Sequence, residues 1–202
     1  MQICHISIPR WFQFTEKEIT LHGFSDASES AYACVIYAVQ RNDNGVTKVA
    51  ILAAKSKVAS RLELNGALLL TRLFSVFIST LKDHVIKFYT WTDSQVVLSW
   101  LSSPPRNWKP LIANKTSEIL DCIPQNRWRY VPNKENPADI GSRGVSPKDL
   151  PDCRLWWEGP SFLSSLEVDW PKQPVLKTMI KFSKREKKPY IFSVSLKNDI
   201  ID

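Results

Sequence analysis

Between Ile86 and Leu101 the chain changes its periodicity at a single acidic residue, Asp93. Before it, Ile86, Phe88, Tyr89 and Trp91 form the apolar, β-branched and aromatic run of a strand in the middle of a sheet. After it, Val96, Val97, Trp100 and Leu101 recur at the spacing of one helix face. A carboxylate at such a junction lies at the carboxyl end of a strand, where α/β sheets hold their ligands. Read alone, Asp93 is better explained as a helix cap, a position that favours Asp. The choice between the two depends on whether other carboxylates converge on it.

The rest of the chain supplies them. From Thr20, Leu21, Gly23 and Phe24 read as a strand ending in small turn residues around Asp26. Ala31 to Val39 is a nearly continuous apolar strand, residues 41–45 a turn, and Val46 to Lys55 a third strand, which together make an antiparallel meander. Arg61 to Leu81 has the length and the Leu62, Leu69, Leu73, Val76, Phe77 pattern of a core helix, with Glu63 in its first turn. After a loop at Ser102–Asn107, Leu111 to Ile123 reads as a helix ended by Pro124, and Arg127 to Val131 as a strand. Asn136 and Pro137 then supply a helix cap and a first-turn proline. Asp139 follows in that first turn, where the helix dipole favours a carboxylate. Three antiparallel strands followed by two strands entering through helices predict an α/β domain with a mixed five-stranded sheet and helices on its faces.

Composition narrows the function classes. With 202 residues and 44% hydrophobic content, one domain with extensions is expected: a lead-in at 1–19, a core at 20–146, a packed extension at 147–169 and a basic, flexible tail at 170–202. The longest apolar region, 62–81, contains Glu63 and Arg72, so it reads as a buried helix rather than a membrane span. The first residues lack the long apolar segment of a secretory signal, and an intracellular protein is expected. Cys4, Cys34, Cys122 and Cys153 are widely spaced and His5, His22 and His84 are the only histidines, which supports neither a zinc module nor a disulfide framework. The net charge of +7 divides into +2 over residues 1–169 and +5 over 170–202.

Asp26, Glu63, Asp93 and Asp139 thus occupy comparable places, each at the end of a strand or the start of a helix. Crowded carboxylates repel one another unless divalent cations neutralise them, and oxygen-only donors on rigid elements suit Mg2+ or Mn2+. A pair of such ions clamps the attacking and leaving oxygens of a phosphodiester, which is nuclease chemistry and needs neither histidine nor cysteine.

The stretches HGFSDASESAYACVIY, RLELNGALLL, WTDSQVVLSWL, RWRYVPNKENPADIGSRG and LWWEGPSFL, in this order and spacing, resemble the type 1 ribonuclease H domain carried by Bel/Pao-type retrotransposon polyproteins. The resemblance covers most of residues 5 to 170. It implies a ribonuclease H-like fold and cleavage of the RNA strand of an RNA/DNA hybrid by metal-activated water, leaving a 3′ hydroxyl and a 5′ phosphate. It maps the metal-binding carboxylates onto Asp26, Glu63, Asp93 and Asp139, with two Mg2+ ions for which Mn2+ substitutes. It also implies that Ser94 and Gln95 approach the hybrid backbone, and that the chain is a fragment or stand-alone descendant of a polyprotein that carries a reverse transcriptase.

The chain departs from the family pattern in three places. Residues 57–60 run almost directly into Arg61-Leu62-Glu63, where a longer proline-containing connection is usual; the histidine loop of cellular enzymes is missing; and Asn133 stands where glycine is common, a residue that tolerates a left-handed turn. The short junction motivates the alternative of an inactive retroelement relic that keeps the fold and binds nucleic acid. A different ribonuclease H-like nuclease or an integrase core fits the four acids and the TDSQ stretch less well. Arg143, one helical turn after Asp139, is placed to pair with that acid or with substrate. Arg106, Lys109, Arg127 and Arg129 read as phosphate contacts or as a solvated face, the tryptophans mainly as core, and the basic tail as a nucleic-acid contact or a linker.

Overall fold

The computed structural model describes residues 18–42, 44–58, 63–81 and 85–175. Three strands come first: β1 (Glu18–Ala27), β2 (Ala31–Arg41) and β3 (Thr47–Val58). The tight connections the sequence predicts are there. Ser28 Oγ accepts from the Ser30 and Ala31 N–H groups at 3.1 and 3.2 Å in the first, and Gly45 takes a φ of 76° in the second. Then follow α1 (Glu63–Thr80), β4 (Val85–Thr92), α2 (Gln95–Leu101), α3 (Pro110–Cys122), β5 (Trp128–Tyr130), α4 (Pro137–Arg143) and α5 (Arg154–Glu158). The order through α4 matches the sequence expectation and α5 adds a helix it did not contain; of the short junction expected at residues 57–61, residues 59–61 lie outside the described residues.

The strands form one sheet in the order β3-β2-β1-β4-β5, with β1 antiparallel to β2 and parallel to β4. It is the mixed five-stranded sheet predicted, its last two strands parallel additions. Alternation along β1 sends Ile19 and Leu21 to one face and His22 and Phe24 to the other. The first face is covered by α1, α2 and α3 through Leu64, Leu70, Phe74, Val97, Leu101 and Ile119. Gly23 allows α1 to lie flush on β1, because a Cβ there would stand 2.2 Å from the Phe74 ring.

The second face is built around Phe24, Val35, Tyr37 and Trp91, closed by Ala138 from α4 and by Phe162 and Leu163 from the segment after α5. Trp170 adds to this cluster, with ring centroids 4.8 Å from Tyr89 and 5.4 Å from Trp91. The Gln173 amide pairs with β5 as a further strand would: its Oε1 accepts from the Tyr130 N–H at 2.6 Å and its Nε2 donates to the Tyr130 carbonyl at 3.2 Å. Of the segment expected as a flexible tail from Trp170, residues 170–173 are tied to the sheet by an indole against the aromatic core and a backbone-like amide pair, and residues 176–202 lie outside the described residues. Among the described residues no helix is long and apolar enough to cross a membrane. The expected third-strand limit at Lys55 moves to Val58, and β5 is shorter than expected.

His22 is sealed inside this second core, 1% exposed. It accepts from Trp91 Nε1 at Nδ1 (3.2 Å) and packs against both the Tyr89 and Trp170 rings, and burial first and the Arg129 charge second push it down to about 3. An imidazole ordinarily titrates near 6.5, so the unfolded chain binds this proton more readily than the folded one. The stability His22 confers is present above about pH 6.5 and is lost as pH falls toward 3. Denaturant unfolding of a His22→Gln variant is expected to show a clearly flatter loss of stability than the parent between pH 6.5 and 4.

Candidate active site

The carboxyl edge of the sheet is set by strand register. Ser25 on β1 lies opposite Thr92 on β4, so Asp26 and Asp93 each stand one residue beyond a paired position on neighbouring parallel strands, whose axes run roughly 4.8 Å apart. Ser25 Oγ reinforces the register by donating to the Trp91 carbonyl at 3.4 Å. Glu63 arrives from the first face as the opening residue of α1, and Asp139 from the second face in the first turn of α4. All four predicted acids therefore meet at one edge, bracketed by helices from both sides of the sheet.

Two local devices bring the helices in. Gly66, one turn into α1, sits against the Asp26 backbone, where a Cβ would stand 2.6 Å from the Asp26 carbonyl oxygen. This contact brings the start of α1, and with it Glu63, close to the end of β1. On the other face Asn136, fully buried, accepts from the Ala138 N–H at 3.2 Å as the cap of α4 and donates to the Ser25 carbonyl at 3.1 Å. The cap predicted from sequence is also the tether between α4 and β1.

Each acid has a donor of its own. Ser142 Oγ donates to Asp26 Oδ2, Asn133 Nδ2 to Asp93 Oδ2 at 3.0 Å, and Arg143 Nε to Asp139 Oδ1 at 2.5 Å, while Glu63 is hydrogen-bonded with Ser94. Asn133 opens a 3-10 turn, and no described residue other than glycine has a positive φ. The left-handed turn expected there is absent; the amide is used as a donor to Asp93. Arg143 makes the pairing with Asp139 that its spacing predicts. Ser94 caps α2, accepting from the Val97 N–H at 3.2 Å, and is buried, whereas Gln95 is half-buried in the first helical turn. Arg129 is held by Glu167 at 2.5 Å and lies over the Tyr89 and Trp170 rings, and Arg127 over Phe88, so both serve the packing of β5.

The acids feel one another. Burial raises Asp93 first, Asp26 and Glu63 raise it further, and together they push it up to about 7 against the pull of its hydrogen bonds. Asp26 is raised by burial and by Asp139, with the Ser142 hydrogen bond opposing, and Glu63 by desolvation and by Asp26 although its flank is exposed. An oxygen-only donor set under this mutual repulsion fits hard divalent cations in its chemistry. Among the described residues no three His, Cys, Asp or Glu side chains are drawn together closely enough to hold an ion as they stand.

The sheet order, the two parallel additions and the helices on both faces make this a ribonuclease H-like fold. Residues 1–94 match the Pao retrotransposon-like RNaseH-like domain family. Among curated proteins no sequence matches the chain. Solved structures with a similar fold are distant in sequence. The N-terminal RNase H domain of a Mycobacterium tuberculosis protein is 15% identical over 62% of this chain and 94% of its own, with a TM-score of 0.38. LC11-RNase H1 in complex with an RNA/DNA hybrid is 15% identical over 60% and 91%, also at 0.38. The protease-reverse transcriptase of prototype foamy virus is 14% identical over 64% of this chain but only 21% of its own, again at 0.38.

Two consequences can be measured on the metal-free protein. Gly66→Ala forces a methyl group into the Asp26 backbone and is expected to cost about 1–3 kcal/mol in chemical unfolding. Asp93, near 7 when folded against about 3.9 when unfolded, gives stability that is present below about pH 4 and is lost as pH rises through 7. Asp93→Asn is therefore expected to raise Tm at pH 8 by a few degrees, and its advantage over the parent should shrink steadily down to pH 5.

Proposed function

We propose that the chain is a metal-dependent endoribonuclease of the ribonuclease H type, cutting the RNA strand of RNA/DNA hybrids within a retrotransposon pol region. The observation that carries this reading is the placing of Asp26 and Asp93 at the carboxyl edge of two parallel strands, with Glu63 and Asp139 opening helices on the two faces of that edge. These four side chains would hold two Mg2+ ions, with Mn2+ as a substitute; when bound, such ions activate water and stabilise the charge that develops on the scissile phosphodiester. Asp26 and Asp93 provide the fixed floor of the site, since each is set by strand register rather than by a loop. Glu63 and Asp139 close it from opposite faces.

Burial and crowding hold Asp26 above the usual carboxylate range and push Asp93 up to about 7, so that as pH rises through about 7 Asp93 loses its proton and the site gains charge that attracts cations. Gln95, half-buried in the first turn of α2, and Arg143, exposed and paired with Asp139, would be the groups that meet a phosphate backbone. Ser94 Oγ accepts in the cap of α2, so it would meet the backbone through its O–H proton, without releasing the cap. A reverse transcriptase domain in the same polyprotein is the partner this reading implies.

A second reading, a domain that binds nucleic acid without cutting it, is favoured by the spacing of the acids, no three of which are gathered around one point. Cleavage of a labelled RNA/DNA hybrid with Mg2+ or Mn2+, by the parent and by Asp93→Asn, separates the two. Cutting reduced roughly a thousandfold or more by the substitution is the expected result. Hybrid binding by a folded parent that never cuts would establish the second reading instead.

A further inference from the structure

We propose that Ser142 is a positioning residue of this site, fixing through its hydroxyl how the carboxylate of Asp26 faces Asp139. The inference rests on the nuclease reading above and adds a residue that reading does not use. Ser142 lies in α4 one turn after Asp139, on the same side of the helix, and is only 2% exposed. Its Oγ stands within hydrogen-bonding distance of two acceptors, Asp26 Oδ2 and, at 3.1 Å, the Asp139 carbonyl. A serine has one proton to donate, and an ionised carboxylate is the stronger acceptor. The proton therefore goes to Asp26, across 116 residues of sequence.

The serine is itself held. Ser28 Oγ donates to the Ser142 carbonyl at 2.7 Å, and the same oxygen accepts from the Ser30 and Ala31 N–H groups. The turn that follows β1, the last turn of α4 and the Asp26 side chain are in this way one connected network. With Oδ2 held, the Asp26 carboxylate cannot turn freely about its last bond, and it presents one orientation to the other acids. Docking of α4 does not need this bond, because Asn136 already ties the start of the helix to the Ser25 carbonyl. What the Ser142 hydroxyl adds is the relative placement of the first and fourth carboxylates, and hydrogen-bond partners that orient metal ligands change affinity and rate by about 10- to 100-fold when removed.

The test uses the full chain and two variants, Ser142→Ala and Ser142→Cys; the second keeps nearly the same volume with a much weaker donor, and carries the test if the first does not fold. Mn2+ binding is followed by calorimetry, and hybrid cleavage by kcat and KM. Both variants are expected to bind Mn2+ about tenfold more weakly and to lose a similar factor in kcat, with KM for the hybrid unchanged. The metal-free Tm of Ser142→Cys should stay within about 3 °C of the parent. A parent that binds and cuts, with variants that bind Mn2+ within about twofold of it and lose only thermal stability, overturns this inference alone. A parent that neither binds Mn2+ nor cuts overturns it together with the nuclease reading.

Discussion

The parallel pairing of β1 with β4 is the constraint from which the site inherits its geometry. Because Ser25 lies opposite Thr92, the next residue of each strand is an acid, and the two carboxylates are held side by side by main-chain hydrogen bonds rather than by their own contacts. That register is protected from the core outward. Trp91 stacks on Phe24, its indole N–H reaches across to His22, and its carbonyl accepts from Ser25, so the residue two places before Asp93 is tied to β1 at three positions. A slip of one residue would turn Trp91 out of the second core and move the acid away from its partner together. Packing of the aromatic core and placement of the carboxylates are thus one requirement.

The two faces of the sheet deliver the remaining acids by different means. On the first face the delivery is steric: two residues without side chains, Gly23 and Gly66, let an 18-residue helix sit close enough for its opening glutamate to reach the strand ends. On the second face it is polar. The seven-residue α4 is too short to be stable by itself, and it is fixed by a proline at its start, by Asn136 and by Ser142. The polar route also brings hydrogen-bond donors to the acids, which keeps their crowding tolerable in the absence of cations. Raised carboxylates at the edge of a well-packed core weaken the fold that holds them once they ionise.

Much of this was legible in the sequence because it is periodic or local. The change from strand to helix spacing at Asp93, the Asn136-Pro137 start of α4 and the placing of Glu63 in a first turn all depend on neighbours within a few residues, and each is found where the pattern puts it. The Arg143–Asp139 pair is of the same kind. What was not legible depends on long-range geometry. Nothing in the spacing of Ser142 says that its hydroxyl meets Asp26, although its place one turn after Asp139 puts it on the site's side of the helix. Asn133 was read as a residue chosen for its backbone, whereas the fold uses its side chain on Asp93. Ser94 has a buried capping role that a position next to an acid does not distinguish from a substrate contact.

The C-terminal boundary shows the same limit from the packing side. Composition alone separates a globular core from a basic segment near Trp170, since the lysines begin there and the periodic patterns end. Charge does not determine what the tryptophan beside those lysines touches. The second face of the sheet carries Phe24, Val35, Tyr37 and Trp91, and α4 is too small to cover all four. Phe162, Leu163 and Trp170 complete that cover, and Gln173 occupies the outer edge of β5, where an unpaired strand would otherwise present its backbone to solvent. The packed unit therefore has to extend through Gln173. The residues that close the second face also seal His22 and Trp91, and through them steady the register on which Asp26 and Asp93 depend.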